Sequence, residues 1–101
     1  MVASREQILE HIRSNIAYLR KRYHVRKVAL IGSFARAEQR PESDIDLLVD
    51  IEENTPDLFQ IKRDLKRELE QSLGRPVELA SERYLRPYYR AQVLQEAIYV
   101  Q

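Results

Sequence analysis

Apolar residues at Ile8, Leu9, Ile12, Ile16, Leu19 and Tyr23 recur at three- and four-residue steps, with charge on the intervening positions. That spacing predicts an amphipathic helix, with Ser4 as its N-cap. The cluster Arg20-Lys21-Arg22 falls in its last turn and complements the helix dipole. The period then changes. Val28-Ala29-Leu30-Ile31 is apolar on both faces, as a covered central strand requires, so Val25 to Ile31 is predicted as a strand. It ends at Gly32-Ser33, and a short helix is expected through Phe34–Glu38. Gln39–Ser43 reads as a loop.

Asp44 to Ile51 alternates strictly. Ile45, Leu47, Val49 and Ile51 share one face, and Asp44, Asp46, Leu48 and Asp50 share the other, which fixes the register. Thr55-Pro56-Asp57 carries a cap followed by proline, a helix start. Leu58, Ile61, Leu65, Leu69 and Leu73 then predict a buried stripe, stopped by Gly74 and Pro76. Pro76–Ala80 is a short third strand. Pro87 opens a last helix carrying Val93, Leu94 and Ala97. Ile98-Tyr99-Val100 is either a terminal strand or an apolar tail on the core. The order predicts an α/β (α+β) fold: a short sheet with helices mainly on one face.

At 101 residues the chain is expected to form one domain, 1–101, with a single core. There are 17 basic and 16 acidic residues, which argues for a mixed, solvated surface and against direct nucleic-acid binding. Thirteen of the basic residues are arginine, a fork suited to phosphate and carboxylate. The absence of cysteine excludes disulfides and thiolate metal sites. The segment from Met1 to Glu6 has no apolar signal core, and no run approaches membrane-spanning length, so a cytoplasmic protein without membrane contact is expected. His11 and His24 have no ligand-spaced partner and are assigned surface or capping roles.

The candidate chemistry lies in a split motif. Asp44 and Asp46, two residues apart on a strand, point the same way with side chains about 6–7 Å apart. Magnesium takes one or two protein carboxylates and draws its other ligands from water and phosphate. The bland alternative is a polar strand edge. Asp50 shares the face but lies about 13 Å further on, too far to join them. Gly32 permits close backbone approach or a positive φ, and Ser33 offers a hydroxyl and an N–H to phosphate. An ordinary strand-to-helix turn would use the same two residues. Arg36 is suited either to neutralising triphosphate or to pairing with a neighbouring acid and holding the loop. Arg83, Tyr84, Arg86, Tyr88, Tyr89 and Arg90 mix aromatic and cationic groups. They form either a docking surface or rings packed under arginine stems.

Gly32-Ser33-Phe34-Ala35-Arg36-Ala37, followed by Ser43-Asp44-Ile45-Asp46-Leu47, resembles the nucleotidyltransferase superfamily typified by DNA polymerase beta. The small size is similar to its minimal members, the MNT-type antitoxins encoded beside HEPN-domain ribonuclease toxins. The resemblance implies a polymerase-beta-like fold with a short mixed sheet. It implies that Gly32 and Ser33 hold the triphosphate of ATP, with Arg36 and Ser43 as further nucleotide-binding candidates. Asp44 and Asp46 would bind Mg2+, and a third carboxylate is expected on a later strand, where Glu78 is the candidate. The family commonly has aspartate where Glu78 stands and glycine where Ala37 stands.

The implied reaction is transfer of AMP to a tyrosine hydroxyl of a HEPN toxin, which neutralises it. One alternative keeps the fold but neutralises the toxin by covering it. Another passes the nucleotide to a small molecule or an RNA end; enzymes of that kind usually carry an extra acceptor-binding domain.

Overall fold

In the computed structural model, residues 2–100 form a four-stranded mixed sheet flanked by four α-helices. Met1 and Gln101, the ends of the expected 1–101 domain, lie outside the described residues. The chain runs α1 (Arg5–Tyr23), β1 (Val25–Ile31), α2 (Gly32–Ala35), β2 (Ile45–Ile51), α3 (Leu58–Leu73), β3 (Val77–Ala80), a 3-10 turn (Glu82–Tyr84), α4 (Pro87–Glu96) and β4 (Ile98–Val100). The strand order is β3-β2-β1-β4. β1 pairs antiparallel with β2 and β4, and β2 pairs parallel with β3. The apolar C-terminal segment is therefore a strand.

Ser4 caps α1 as expected. Its hydroxyl accepts the Gln7 N–H at 3.2 Å, and the Gln7 side chain accepts the Ser4 N–H in return, a reciprocal capping box. His24 ends the helix in the left-handed region and donates its backbone N–H to Arg20 at 3.0 Å. Ile8, Ile12 and Leu19 of α1 and Leu65, Leu69 and Leu73 of α3 are buried against Leu30, Ile45, Leu47, Val49 and Val77 of the sheet. Each of those leucines, taken fully out of water, contributes about 1.5–3 kcal/mol. Tyr18 and Tyr23 donate to the same Glu68 oxygen at 2.9 and 2.7 Å, tying α1 to α3.

The opposite face of the sheet is covered less. Ala29, Ile31 and Leu48 pack under Val93 of α4, with Leu85, Leu94 and Ala97 around them. The coverage stops short of both ends of β2 and leaves Asp46 and Asp50 half-buried at its margins.

Two expectations at α3 need correction. Thr55 does not cap the helix: its hydroxyl donates to the Glu52 carbonyl at 2.6 Å, closing a turn instead. The helix begins at Leu58, behind Asp57 in the left-handed region. Leu58 at that exposed first position stays outside the core, so the buried stripe starts with the partly covered Ile61. The helix after β1 is also shorter than expected. It ends at Ala35, because Ala37 turns left-handed and Glu38 donates its N–H back to Ser33 at 2.8 Å.

Candidate active site

β2 and β3 run parallel and in register, with Asp46 beside Glu78. On its other side Asp46 faces Ile31, the last residue of β1. Three chain segments thus end together at one corner of the sheet. Asp44 stands one residue before β2, on exposed backbone. Gly32, Ser33, Arg36, Asp44, Asp46 and Glu78 all line one cavity of about 460 Å³, whose lining also includes Leu85, Tyr89 and Glu96. A larger cleft of about 530 Å³ beside Asp50 mixes Asp50, Glu52, Glu53 and Glu82 with Lys62, Arg83 and Arg90, so its acids lie among cations. Asp50 itself is paired with Arg26 at 3.1 Å.

The turn after β1 is built around Gly32. Its φ is +76°, and a Cβ there would collide with Asp46 Oδ2 and lie 3.1 Å from Asp46 Cβ and Cγ. Glycine is therefore required twice, for the backbone conformation and for the room that Asp46 occupies. Ala37 adopts φ +58° without a glycine. Three backbone bonds hold that strained residue in place: Arg36 to Gly32 at 3.1 Å, Ala37 to Phe34 at 3.1 Å and Glu38 to Ser33 at 2.8 Å.

Asp46 is the most perturbed carboxyl of the site. Burial raises its pKa first, and the charges of Asp44 and then Glu78 push it the same way, against a smaller opposing pull from Arg36. Like charges gathered without a paired cation favour whatever brings positive charge between them. Among the described residues no group of three or more His, Asp or Glu side chains is arranged to hold a metal ion by itself. The carboxylates of Asp44 and Asp46 suit magnesium, which leans on one or two protein carboxylates and takes its remaining ligands from phosphate and water.

The expected nucleotide-binding residues divide. Ser33 lines the cavity, and its hydroxyl has no hydrogen-bond partner among the described residues. The Gly32 N–H is already given to Glu96 Oε1 at 3.2 Å, so this residue contributes space and backbone shape. Arg36 takes the second of its two sequence readings. It donates to Glu38 at 3.0 Å and Glu96 at 2.8 Å, and both bonds raise its pKa. Ser43 is not among the cavity residues. Its hydroxyl accepts the Arg40 N–H at 2.8 Å and its own N–H returns to the Arg40 carbonyl at 3.0 Å, closing the loop before Asp44.

Two residues of the site escaped sequence reasoning. One is Glu96. The other is Arg75, which is 9% exposed and donates to the carbonyls of Val2 (2.7 Å), Pro41 (2.7 Å) and Ser43 (3.1 Å). Its guanidinium also lies over the Phe34 ring, 5.1 Å from the centroid. Arg75 thus pins the approach to Asp44 against α2. The flanking Gly74 and Pro76 marked only a helix stop in the sequence.

A mixed sheet that gathers paired carboxylates and a Gly-Ser turn at one corner defines a nucleotidyl-transfer fold. The chain belongs to the nucleotidyltransferase domain family, whose model matches residues 12–100. A Methanocaldococcus jannaschii protein with the provisional name protein adenylyltransferase is 37% identical over 95 residues, 93% of this chain and 95% of that one. The protein adenylyltransferase MntA of Thermococcus cleftensis is 36% identical, covering 94% of each chain. A solved structure assigned as a minimal nucleotidyltransferase superposes with a TM-score of 0.77 at 41% identity, over 95% of both chains. The fold is also that of a chain in the complex of the tri-AMPylated Shewanella oneidensis HEPN toxin with its MNT antitoxin. There the TM-score is 0.62 at 18% identity, over 92% of this chain and 71% of that one. No helix among the described residues is long and apolar enough to cross a membrane.

Proposed function

We propose that the chain, acting as one minimal domain, transfers AMP from ATP to a tyrosine hydroxyl of a partner HEPN-domain toxin and thereby neutralises it in the cytoplasm. The observation that carries this reading is the convergence of Asp44, Asp46 and Glu78 with Ser33 on one cavity. The relatives named protein adenylyltransferase support the reaction class. The AMPylated toxin in the Shewanella oneidensis complex supports the kind of acceptor.

In the proposed reaction the tyrosine oxygen attacks the α-phosphorus of ATP. The new oxygen–phosphorus bond forms as the bond to the bridging β-phosphate oxygen breaks, and pyrophosphate leaves with that electron pair. Ser33 supplies its hydroxyl and N–H to the terminal phosphates. Glu78, exposed and beside Asp46, takes the tyrosine proton or helps hold the cation. Asp44 and Asp46 would hold Mg2+, which when bound supplies positive charge to the phosphate oxygens and the leaving group. Asp44 is exposed and Asp46 half-buried, so both carboxylates can be reached from the solvent side.

Toxin neutralisation by the D44N/D46N double variant tests the reading. Loss of protection with an intact fold is expected. Full protection would mean that the protein works by covering its partner.

A further inference from the structure

Glu96 is the last residue of α4, and its side chain is only 18% exposed. Its two carboxylate oxygens serve two donors on the same turn: Oε1 accepts the Gly32 N–H at 3.2 Å, and Oε2 accepts Arg36 Nη1 at 2.8 Å. One side chain from α4 thus clasps both ends of the α2 turn, 64 and 60 residues away along the chain. Both Glu96 and Arg36 line the cavity that holds Asp44, Asp46 and Glu78.

The three acids form no ion pair among the described residues, while Arg36 has two partners on its own side. An arginine presents five donors in a rigid fork and seeks carboxylates strongly. Released beside three unpaired acids, it would settle on them. A cation-binding site and a mobile guanidinium in the same cavity compete for the same oxygens.

We infer that Glu96 is a positioning residue that, by holding Arg36 and the Gly32 turn, keeps the arginine off Asp44, Asp46 and Glu78 and so keeps their cation site open. This deepens the nucleotidyl-transfer reading and rests on it for its purpose. Its physical content is separate: affinity for a divalent cation should depend on Glu96 through Arg36.

E96Q is the cleaner variant, since the amide oxygen can still accept from Gly32 while Arg36 loses the better-buried of its two charge partners and keeps only the exposed Glu38. The experiment is a double-variant cycle of wild type, E96Q, R36A and R36A/E96Q. Mg2+ affinity is read by calorimetry without nucleotide, and the Gly32 amide by hydrogen exchange. E96Q is expected to weaken Mg2+ binding by about fivefold or more while the Gly32 amide stays protected. In the R36A background the same substitution is expected to matter by less than about twofold, the signature of coupling through the arginine.

An E96Q effect of equal size with and without Arg36 would leave only a general field effect and overturn the inference. So would unchanged Mg2+ affinity, or a variant whose only change is a lower melting temperature. If wild type binds Mg2+ but modifies no acceptor, the functional reading fails while the cycle still decides the role of Glu96. A wild type that binds no Mg2+ without nucleotide overturns the inference, and one that binds none with ATP present overturns the functional reading as well.

Discussion

Replacing Gly32 with alanine isolates the demand that the turn places on Asp46. The left-handed conformation at φ +76° costs an alanine about 1–2 kcal/mol. The new Cβ also meets the Asp46 carboxyl, and the backbone of Asp46 cannot yield because it is paired to Ile31 on one side and Glu78 on the other. The side chain must rotate instead. A displacement of about 1 Å in a positioned group is enough for a loss near 100-fold in rate. G32A should therefore melt lower by about 4–8 °C for each kcal/mol, and transfer AMP at least about 100-fold more slowly per folded molecule.

Thermal melts by circular dichroism without Mg2+, with rates measured well below the transition, separate the two effects. A37G is the matched control. At φ +58° the natural alanine already carries the left-handed cost, so glycine should raise stability by about 0.5–1 kcal/mol after the added freedom of the unfolded chain is subtracted. G32A with wild-type rate and melting temperature would refute the reasoning, as would an A37G that lowers stability.

D46N should lose activity and gain stability at neutral pH. A carboxyl whose folded pKa lies above its unfolded value binds more protons when folded, so it costs stability above that pKa and the cost vanishes as pH falls. The advantage of D46N over wild type should accordingly shrink below the ordinary carboxylate range, which pH-dependent denaturant melts will show. Added Mg2+ should raise the melting temperature of wild type and not of D46N, by the usual linkage of ligand to folded state. R75A should lower stability by about 2–4 kcal/mol in urea titrations, because three carbonyls lose a charged donor. R75K should recover little of it, lacking the fork.

The strand pattern was legible because a period of two fixes faces without reference to anything distant. Asp46, Leu48 and Asp50 lie opposite the Ile45 face as the alternation requires, and Glu78 reaches Asp46 because neighbouring parallel strands begin at the same end. Capping at Ser4 was equally local. Thr55 failed because its hydroxyl donates to the Glu52 carbonyl behind it, while the helix starts further on, at Leu58. The Ser43 hydroxyl accepts the Arg40 N–H of its own loop, and Ser43 does not line the cavity.

The clasp of Glu96 on Gly32 and Arg36 left no trace in any periodic pattern. It joins a helix end to a turn that only the completed sheet brings near. The aromatic and arginine cluster near α4 resolves in part: Tyr89 reaches the cavity wall, Tyr84 and Tyr88 stay exposed, and Lys62 lies 5.6 Å from the Tyr84 ring centre.

The most direct measurement is intact and peptide mass spectrometry of a candidate HEPN-domain partner that binds this chain, after incubation with ATP and Mg2+. The account predicts AMP on a tyrosine of that protein, absent with chelator, with D44N and with D46N. An unmodified partner, folded and bound to this chain, would contradict it.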